Sequence, residues 1–311
     1  MSAINRRNFI TGAAAAGVGA AVLGSKAFGR GALGFGLGNG YHALGRLRPL
    51  PPMRALPRKF SASETVTIGK TGIQTSLLAM GTGTVGSGHH SHQTALGIAG
   101  LSALLLNGYD HGLRFFDAAD SYGSHPHVAE ALKHVPRDKV TVLSKSWSRD
   151  AAGMRADLER FRQELSTDHI DIVLMHCVTE GDWTTRYRGA MDVLSEAKEK
   201  GIIRAHGCSC HSIEALRAAA KSPWVEVDLA RINPVGAFMD ADPDTVVGVL
   251  REMKQAGKGI LGMKILGQGQ LRDKQDEALN FALGLGLLDA FTIGAESKAE
   301  QDDLVRRIAA A

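Results

Sequence analysis

From residue 64 onward, short apolar runs alternate with longer stretches in which apolar residues recur every three or four positions. Glu64–Ile68 and Ile73–Leu77 flank Gly69-Lys70-Thr71-Gly72, which predicts a hairpin leading into a first strand through Met80. A helical pattern follows from Thr94 to about Asn107. Seven further strand–helix pairs are predicted. Arg114–Ala118 leads to a helix over His127–His134, Val140–Ser144 to Met154–Leu165, and Ile170–Met175 to Ala190–Lys200. Ile203–Cys208 leads to Ile213–Lys221, Val225–Ile232 to Pro243–Ala256, Gly259–Lys264 to Lys274–Leu283, and Ala290–Ile293 to Glu300–Ile308. Eight strands, each followed by a helix, predict a parallel sheet of the α/β class. About 245 residues for eight units is the size of a closed (β/α)8 TIM barrel.

The competing architecture is an open doubly wound sheet, which places a glycine fingerprint after its first strand. Gly81-Thr82-Gly83-Thr84-Val85-Gly86 has that spelling. The fingerprint opens directly into a helix, however, whereas here Ser87-Gly88-His89-His90-Ser91 intervenes. The barrel is therefore the expected fold, preceded by a β-hairpin and an unstructured leader.

The first sixty residues do not share the alternation. Asn5-Arg6-Arg7-Asn8-Phe9-Ile10 precedes an Ala- and Gly-rich apolar run to Gly24, and Ser25-Lys26-Ala27 offers small residues at a cleavage site. That order is a signal peptide's, and the paired Arg6-Arg7 before Phe9 resembles the twin-arginine type. The apolar run is short for a membrane span, so residues 1–27 are expected to direct export, or to anchor the chain if left uncleaved. The expected partner is the twin-arginine machinery, and the expected destination is periplasmic or extracytoplasmic. Residues 28–60, Gly-rich and then Pro- and Arg-rich, read as a linker between the signal and a barrel over 61–311.

Charge sharpens this division. Residues 1–63 hold nine Lys and Arg and no Asp or Glu, leaving 27 basic against 32 acidic residues in the body. The overall charge of +4 thus belongs to the leader. No nucleic-acid partner is expected, because the folded part has no basic excess. The three cysteines, Cys177, Cys208 and Cys210, are too few for a disulfide framework. A monomer is expected.

Reactive groups in such a barrel sit just beyond the carboxyl ends of the strands. Asp117 ends the second strand, Lys145 the third and His176 the fourth, with Tyr122 five residues beyond Asp117. Reduction of a carbonyl needs a hydride donor and a proton donor for the developing alkoxide. Tyrosine is a weak acid near neutrality, and a neighbouring ammonium would lower its pKa. Asp117 would hold Lys145 charged, and His176 would orient the carbonyl.

Phe116-Asp117-Ala118-Ala119-Asp120-Ser121-Tyr122-Gly123, with Lys and His closing the next two strands, resembles the catalytic tetrad of the aldo-keto reductases. Gly69–Ile73, Gly81–Gly83, Gly207-Cys208-Ser209 and Ile293–Ser297 resemble that family too, so the likeness covers roughly residues 64–311. It implies an NAD(P)H-dependent oxidoreductase with catalytic Asp117, Tyr122, Lys145 and His176, acting on an aldehyde, ketone or sugar. It further implies that Gly81, Thr82, Gly83, Ser209, Cys210 and Lys264 approach the cofactor, and that Gly294, Ser297 and Lys298 lie near its adenosine phosphate. NADP is the expected cofactor, with NAD as the alternative. The chain departs from the family pattern at Cys210, at Ala230, and at Glu296 where cations are usual.

Two other readings of the same face exist. His89, His90, His92, His125, His127, His206, Cys208, Cys210 and His211 crowd the expected mouth, and soft ligands of this kind suit zinc or copper. No paired metal motif accompanies them, and no metal is assigned. A barrel that binds a ligand without turnover is the third class. Trp147 and Trp183 could form an aromatic wall beside the mouth.

Overall fold

The computed structural model describes residues 47–311. The leader expected at residues 1–27, and the linker as far as residue 46, lie outside the described residues. Thr65–Thr67 (β1) and Gln74–Ser76 (β2) pair antiparallel as the expected hairpin. Its Ile68 and Ile73 are fully buried against the inner barrel, each burial contributing about 1.5–3 kcal/mol. Gly69 sits at φ +47°, where a Cβ would stand 2.3 Å from the Gly259 amide nitrogen. Its own amide donates to Asp289 Oδ2 at 3.0 Å, just before the last strand. The hairpin thereby plugs the amino-terminal end of the barrel and leaves the other end open.

The barrel itself runs β3 (Leu78–Gly81), β4 (Phe115–Asp117), β5 (Thr141–Ser146), β6 (Ile170–Val178), β7 (Ile203–Cys210), β8 (Val227–Arg231), β9 (Gly259–Met263) and β10 (Ala290–Ile293), which pairs back to β3. Every neighbouring pair is parallel. Alternation sends Ala79, Phe115, Leu143, Ile172, Leu174, Ala205, Leu229 and Leu261 inward to fill the barrel. The other strand faces meet the helices: α1 (Gly97–Asp110), α2 (His125–Leu132), α3 (Ala151–Leu165), α4 (Trp183–Arg186), α5 (Arg188–Glu199), α6 (Ile213–Lys221), α7 (Pro243–Gln255), α8 (Gln275–Gly284) and α9 (Lys298–Ala310).

Local chemistry sets the helix starts. Asp150, Ser212, Asp242 and Ser297 each cap a helix by accepting from the amide three residues on, and Pro243 fills the first turn of α7. The predicted helix ends hold within a few residues. Strand β6 runs further than expected. It continues past Met175 through a bulge, where His176 and Cys177 face the single residue Ser209, with Cys177 at φ 53°. Bulges of this kind re-aim a side chain at a barrel rim, and here the bulged residue is the one next to His176.

The expected linker is corrected over its last part. Residues 47–60 are not a free tether but a strap along α7 and α8. Arg48 donates its amide to Val235 O at 3.0 Å and pairs with Asp244 at 2.7 Å. The Asn280 side chain behaves like a strand edge, accepting from Arg54 N at 3.0 Å and donating to Arg54 O at 2.9 Å. Leu50, Leu56 and Phe60 pack on the core. Proline-rich backbone cannot form its own ladder, so it takes its partners from the barrel.

Candidate active site

The open end of the barrel is organised around one buried ion pair. Lys145 is fully buried, and its Nζ donates to Asp117 Oδ1 at 2.5 Å and to Ala118 O at 2.8 Å. Asp117 Oδ2 accepts from Thr292 Oγ1 at 2.9 Å, so three strands meet at the pair. Burial works against the ammonium, but Asp117 and Tyr122 outweigh it and hold the Lys145 pKa above its ordinary value.

Tyr122 lies in a 3-10 turn over Asp120–Tyr122, with its ring centroid 4.8 Å from Lys145 Nζ. Desolvation of the phenol is the largest influence on it. Lys145 pulls the pKa down as the sequence implied, yet burial wins and the net shift is upward. His176 packs edge-on to Tyr122 at 5.6 Å, and its Nδ1 lies 3.4 Å from Ser121 Oγ. Burial, then Lys145 and His211, hold its pKa well below the ordinary value, so the imidazole is neutral at neutral pH. Trp147, half-exposed, stands 5.3 Å from His176, and His211 stands 6.4 Å from it, edge-on.

The scaffold behind these groups is specific. On the outer face, the neighbours of Lys145 are both pinned: Ser144 Oγ to His125 Nε2 at 2.7 Å, and Ser146 Oγ to Asp157 Oδ2 at 2.6 Å. Arg160 of α3 joins Asp157 at 2.8 Å, Glu164 at 3.0 Å and Asp120 at 2.7 Å, fixing the turn that carries Tyr122. Arg149 donates to His176 O at 2.5 Å and holds the bulge of β6. Above the turn, the glycine series after β3 acts as a cradle for the ring. A Cβ on Gly83 would stand 2.2 Å from Tyr122 Cε2, and one on Gly86 would stand 2.3 Å from Cδ1. The loop returns to the turn at His89, whose amide donates to Ser121 O at 2.9 Å.

A cleft of about 200 Å³ leads away from Tyr122 and Asp117. One side is formed by Gly81, Gly83 and Thr84, another by residues 263–266, 268 and 269, and a third by Thr292–Gly294 with Glu296. Lys264 projects here at φ 60°, with its Nζ 3.1 Å from Gln268 Oε1. Burial, then Arg231 and Lys145, lower its pKa to about 8, and among the described residues no carboxylate pairs with it. Ser209 is fully buried, and its Oγ has no hydrogen-bond partner. An uncompensated cation and an orphaned hydroxyl are what a bound anionic nucleotide would satisfy.

Other expected cofactor residues lie elsewhere. Thr82 is buried, its Oγ1 donating to Asp117 O and Ser124 Oγ, both at 2.8 Å. Ser297 caps α9, and Lys298 is exposed on its first turn. Cys210 faces the helix layer with Cys208, their sulfurs 3.7 Å apart, opposite to Ser209 in the strand's alternation. The histidine and cysteine crowd is dispersed. His206 stacks on Trp224 at 4.3 Å, His92 pairs with Glu296 at 2.7 Å, and His125 with Glu164 at 2.7 Å. Trp183 is buried, with Nε1 donating to Ala215 O, so only Trp147 of the two tryptophans flanks the mouth. The sequence reading missed Thr292, Arg149 and Arg160. Thr292 was open to it as a polar residue near the end of the last strand, whereas the two arginines left no spacing signal.

Cys208, Cys210 and Asp228 bring their sulfur and oxygen atoms within 4.8 Å of one another. Burial pushes the Cys208 thiol to about 11 and Cys210 well above the thiol range, and it lifts Asp228 to about 7. At mildly acid pH the three form a neutral chain, with Cys208 Sγ donating to Asp228 Oδ1 at 3.4 Å.

The model of the aldo/keto reductase family matches residues 77–284. D-threo-aldose 1-dehydrogenase of a Pseudomonas species is 22% identical over 206 residues, 56% of this chain and 61% of that protein. The methylglyoxal reductase DkgB of Salmonella typhi is 29% identical over 112 residues, 35% of this chain and 42% of that protein. The chain thus spans about three fifths or less of the length of these curated relatives. A Pseudomonas aeruginosa structure described as an aldo-keto reductase superposes with a TM-score of 0.66 at 22% identity, covering 81% of this chain and 96% of the other. That likeness concerns the fold.

Two outcomes are expected from this geometry. In Gly86→Ala the new Cβ must recede from 2.3 Å to a contact of ~3.5 Å, so the Tyr122 ring should shift by about 1 Å in a crystal structure of the variant. An unmoved ring would contradict the cradle. For Asp228 the folded pKa lies above the unfolded one. The wild type therefore loses stability as pH rises from about 4, where the unfolded carboxyl ionises, to about 7, where the folded one does. Asp228→Asn lacks that loss. Urea unfolding should show the variant gaining on the wild type between those limits and level beyond them, and a flat difference would refute the assignment.

Proposed function

The chain belongs to the aldo/keto reductase family, and we propose on that premise that it is an NAD(P)H-dependent oxidoreductase which reduces the carbonyl of a small aldehyde, ketone or sugar. The observation that carries the reading is the Tyr122 ring held beside the buried Lys145–Asp117 pair, with neutral His176 against its edge. The names of the relatives, an aldose dehydrogenase and a methylglyoxal reductase, support carbonyl chemistry of this class.

The nicotinamide, when bound, supplies the hydride. Everything else falls to side chains of this chain. Tyr122 donates the proton that the carbonyl oxygen takes up as charge develops on it. Lys145 stabilises the tyrosinate left behind, which offsets the burial that raises the phenol's pKa at rest. Asp117 keeps Lys145 charged without exposing it to water. His176, uncharged, can donate a hydrogen bond to the same oxygen without competing as an acid, which fixes the carbonyl's orientation. Ser209 Oγ and Lys264 fit the nucleotide, the first through its unused hydrogen-bonding capacity and the second as a cation for a phosphate. Gly81, Gly83 and Gly294 border the same cleft. Trp147 supplies an aromatic flank for the substrate.

Export by the twin-arginine route is part of the same proposal, and it rests on Arg6-Arg7 and the apolar run that follows. That route carries folded proteins, so the nucleotide would be acquired before translocation. Replacing both arginines by lysine should retain the protein in the cytoplasm on cell fractionation, and undiminished export would refute the assignment.

The catalytic reading is tested on the full chain by titration with NADPH and NADH, followed by an assay with a reactive aldehyde. Nucleotide binding with turnover is expected, and Tyr122→Phe should lower kcat by about a hundredfold or more with binding retained. A folded protein that binds neither nucleotide would overturn the reductase reading. It would favour a barrel that holds another ligand.

A further inference from the structure

The cleft has two ends of different chemistry. Tyr122 and Asp117 form the inner end, and Glu296 stands at the outer rim. For a nicotinamide dinucleotide with its reactive ring at Tyr122, Lys264 would be the cation for its diphosphate, and its adenosine half would lie toward the rim. What the rim offers to that half is therefore readable from the residues around Glu296.

The rim is acidic, and two of its amides are taken by side chains. Glu296 is exposed, and its Oε1 lies 2.7 Å from His92 Nδ1, which occupies one carboxylate oxygen and leaves the carboxylate facing the cleft. The Glu296 amide donates to Glu300 Oε2 at 2.8 Å, and the Glu300 amide donates to Ser297 Oγ at 3.2 Å. Two backbone amides at the start of α9 are thus satisfied by its own side chains. Two carboxylates, Glu296 and Glu300, stand there. The nearby ammonium is Lys298, which faces Asp302 along the helix.

NAD and NADP differ at one place, the adenosine ribose, where NADP carries a phosphate monoester of about two negative charges and NAD carries a hydroxyl. A carboxylate accepts a hydrogen bond from the ribose hydroxyl, whereas the phosphate requires an arginine or a comparable cation. We propose that Glu296 selects NAD(H) over NADP(H) by accepting from the ribose 2′-hydroxyl and repelling a 2′-phosphate. The inference rests on the reductase reading above and takes up NAD, the alternative to NADP that the sequence left open.

Direct binding titrations of the full chain, read by protein and nucleotide fluorescence, test it without reference to turnover. NADH should bind at least tenfold more tightly than NADPH. Glu296→Gln should narrow that ratio, and Glu296→Lys should reverse it. Equal or tighter binding of NADPH by the wild type would overturn the selection while leaving the reductase reading intact. So would a ratio unchanged in both variants. Binding of neither nucleotide would overturn both.

Discussion

The constraint on which the site depends is the cost of burying the Lys145 ammonium. An isolated charge in that position would shed its proton rather than remain ionised. It stays charged because Asp117 lies 2.5 Å away and the Ala118 carbonyl accepts a second bond. Asp117 in turn is fixed by Thr292 from the far side of the barrel seam. The closed sheet is what makes this possible: β3, β4, β5 and β10 bring their carboxyl ends to one place, and the pair spans them. Removing one partner would leave the other as an uncompensated buried charge, so the pair is a structural commitment as well as a chemical one.

Tyr122 is positioned by an arrangement with three supports. Arg160 holds its turn from below through Asp120, Lys145 lies against the ring, and the glycine series after β3 covers it. The glycines have been freed of side chains for the sake of an aromatic ring. In a doubly wound sheet the same spelling serves a diphosphate. The physical need is shared, since something must approach the backbone closely, but the occupant differs. Context therefore carries the meaning of that motif.

The barrel was legible because its signal is redundant. Eight alternations of short apolar runs and three-to-four spacing survive errors of a few residues at each boundary, and the inward set of Phe115, Leu143, Ile172 and Leu229 follows from period two alone. The three residues at the strand ends, Asp117, Lys145 and His176, were legible for the same reason, as topology converts position in the strand into position at the mouth. What escaped depends on contacts without periodicity. Leu50, Leu56 and Phe60 have irregular spacing within a Pro- and Arg-rich stretch, so composition indicated a tether where packing makes a strap. The bulge at His176 and Cys177 leaves no mark in the residue pattern, since any sequence can host the extra residue if the neighbours hold it. The direction of the Tyr122 shift was also beyond sequence, because it is a competition between a named charge and an amount of burial.

Strand β7 shows how one residue of offset separates structure from chemistry. Cys208 and Cys210 face the helix layer, where burial keeps their thiols protonated beside Asp228. Ser209, between them, turns the opposite way and keeps a hydroxyl without a partner. A reading by residue type alone groups Cys208, Cys210 and His211 as soft ligands for one ion. The strand's alternation divides them instead, and His211 goes with the mouth, 6.4 Å from His176. A slip of one residue in the pairing of β7 would exchange these roles, placing thiols at the mouth and a lone hydroxyl among the helices. Register is therefore held by the apolar demand of the outer layer, and the chemistry of the inner face depends on that demand being met.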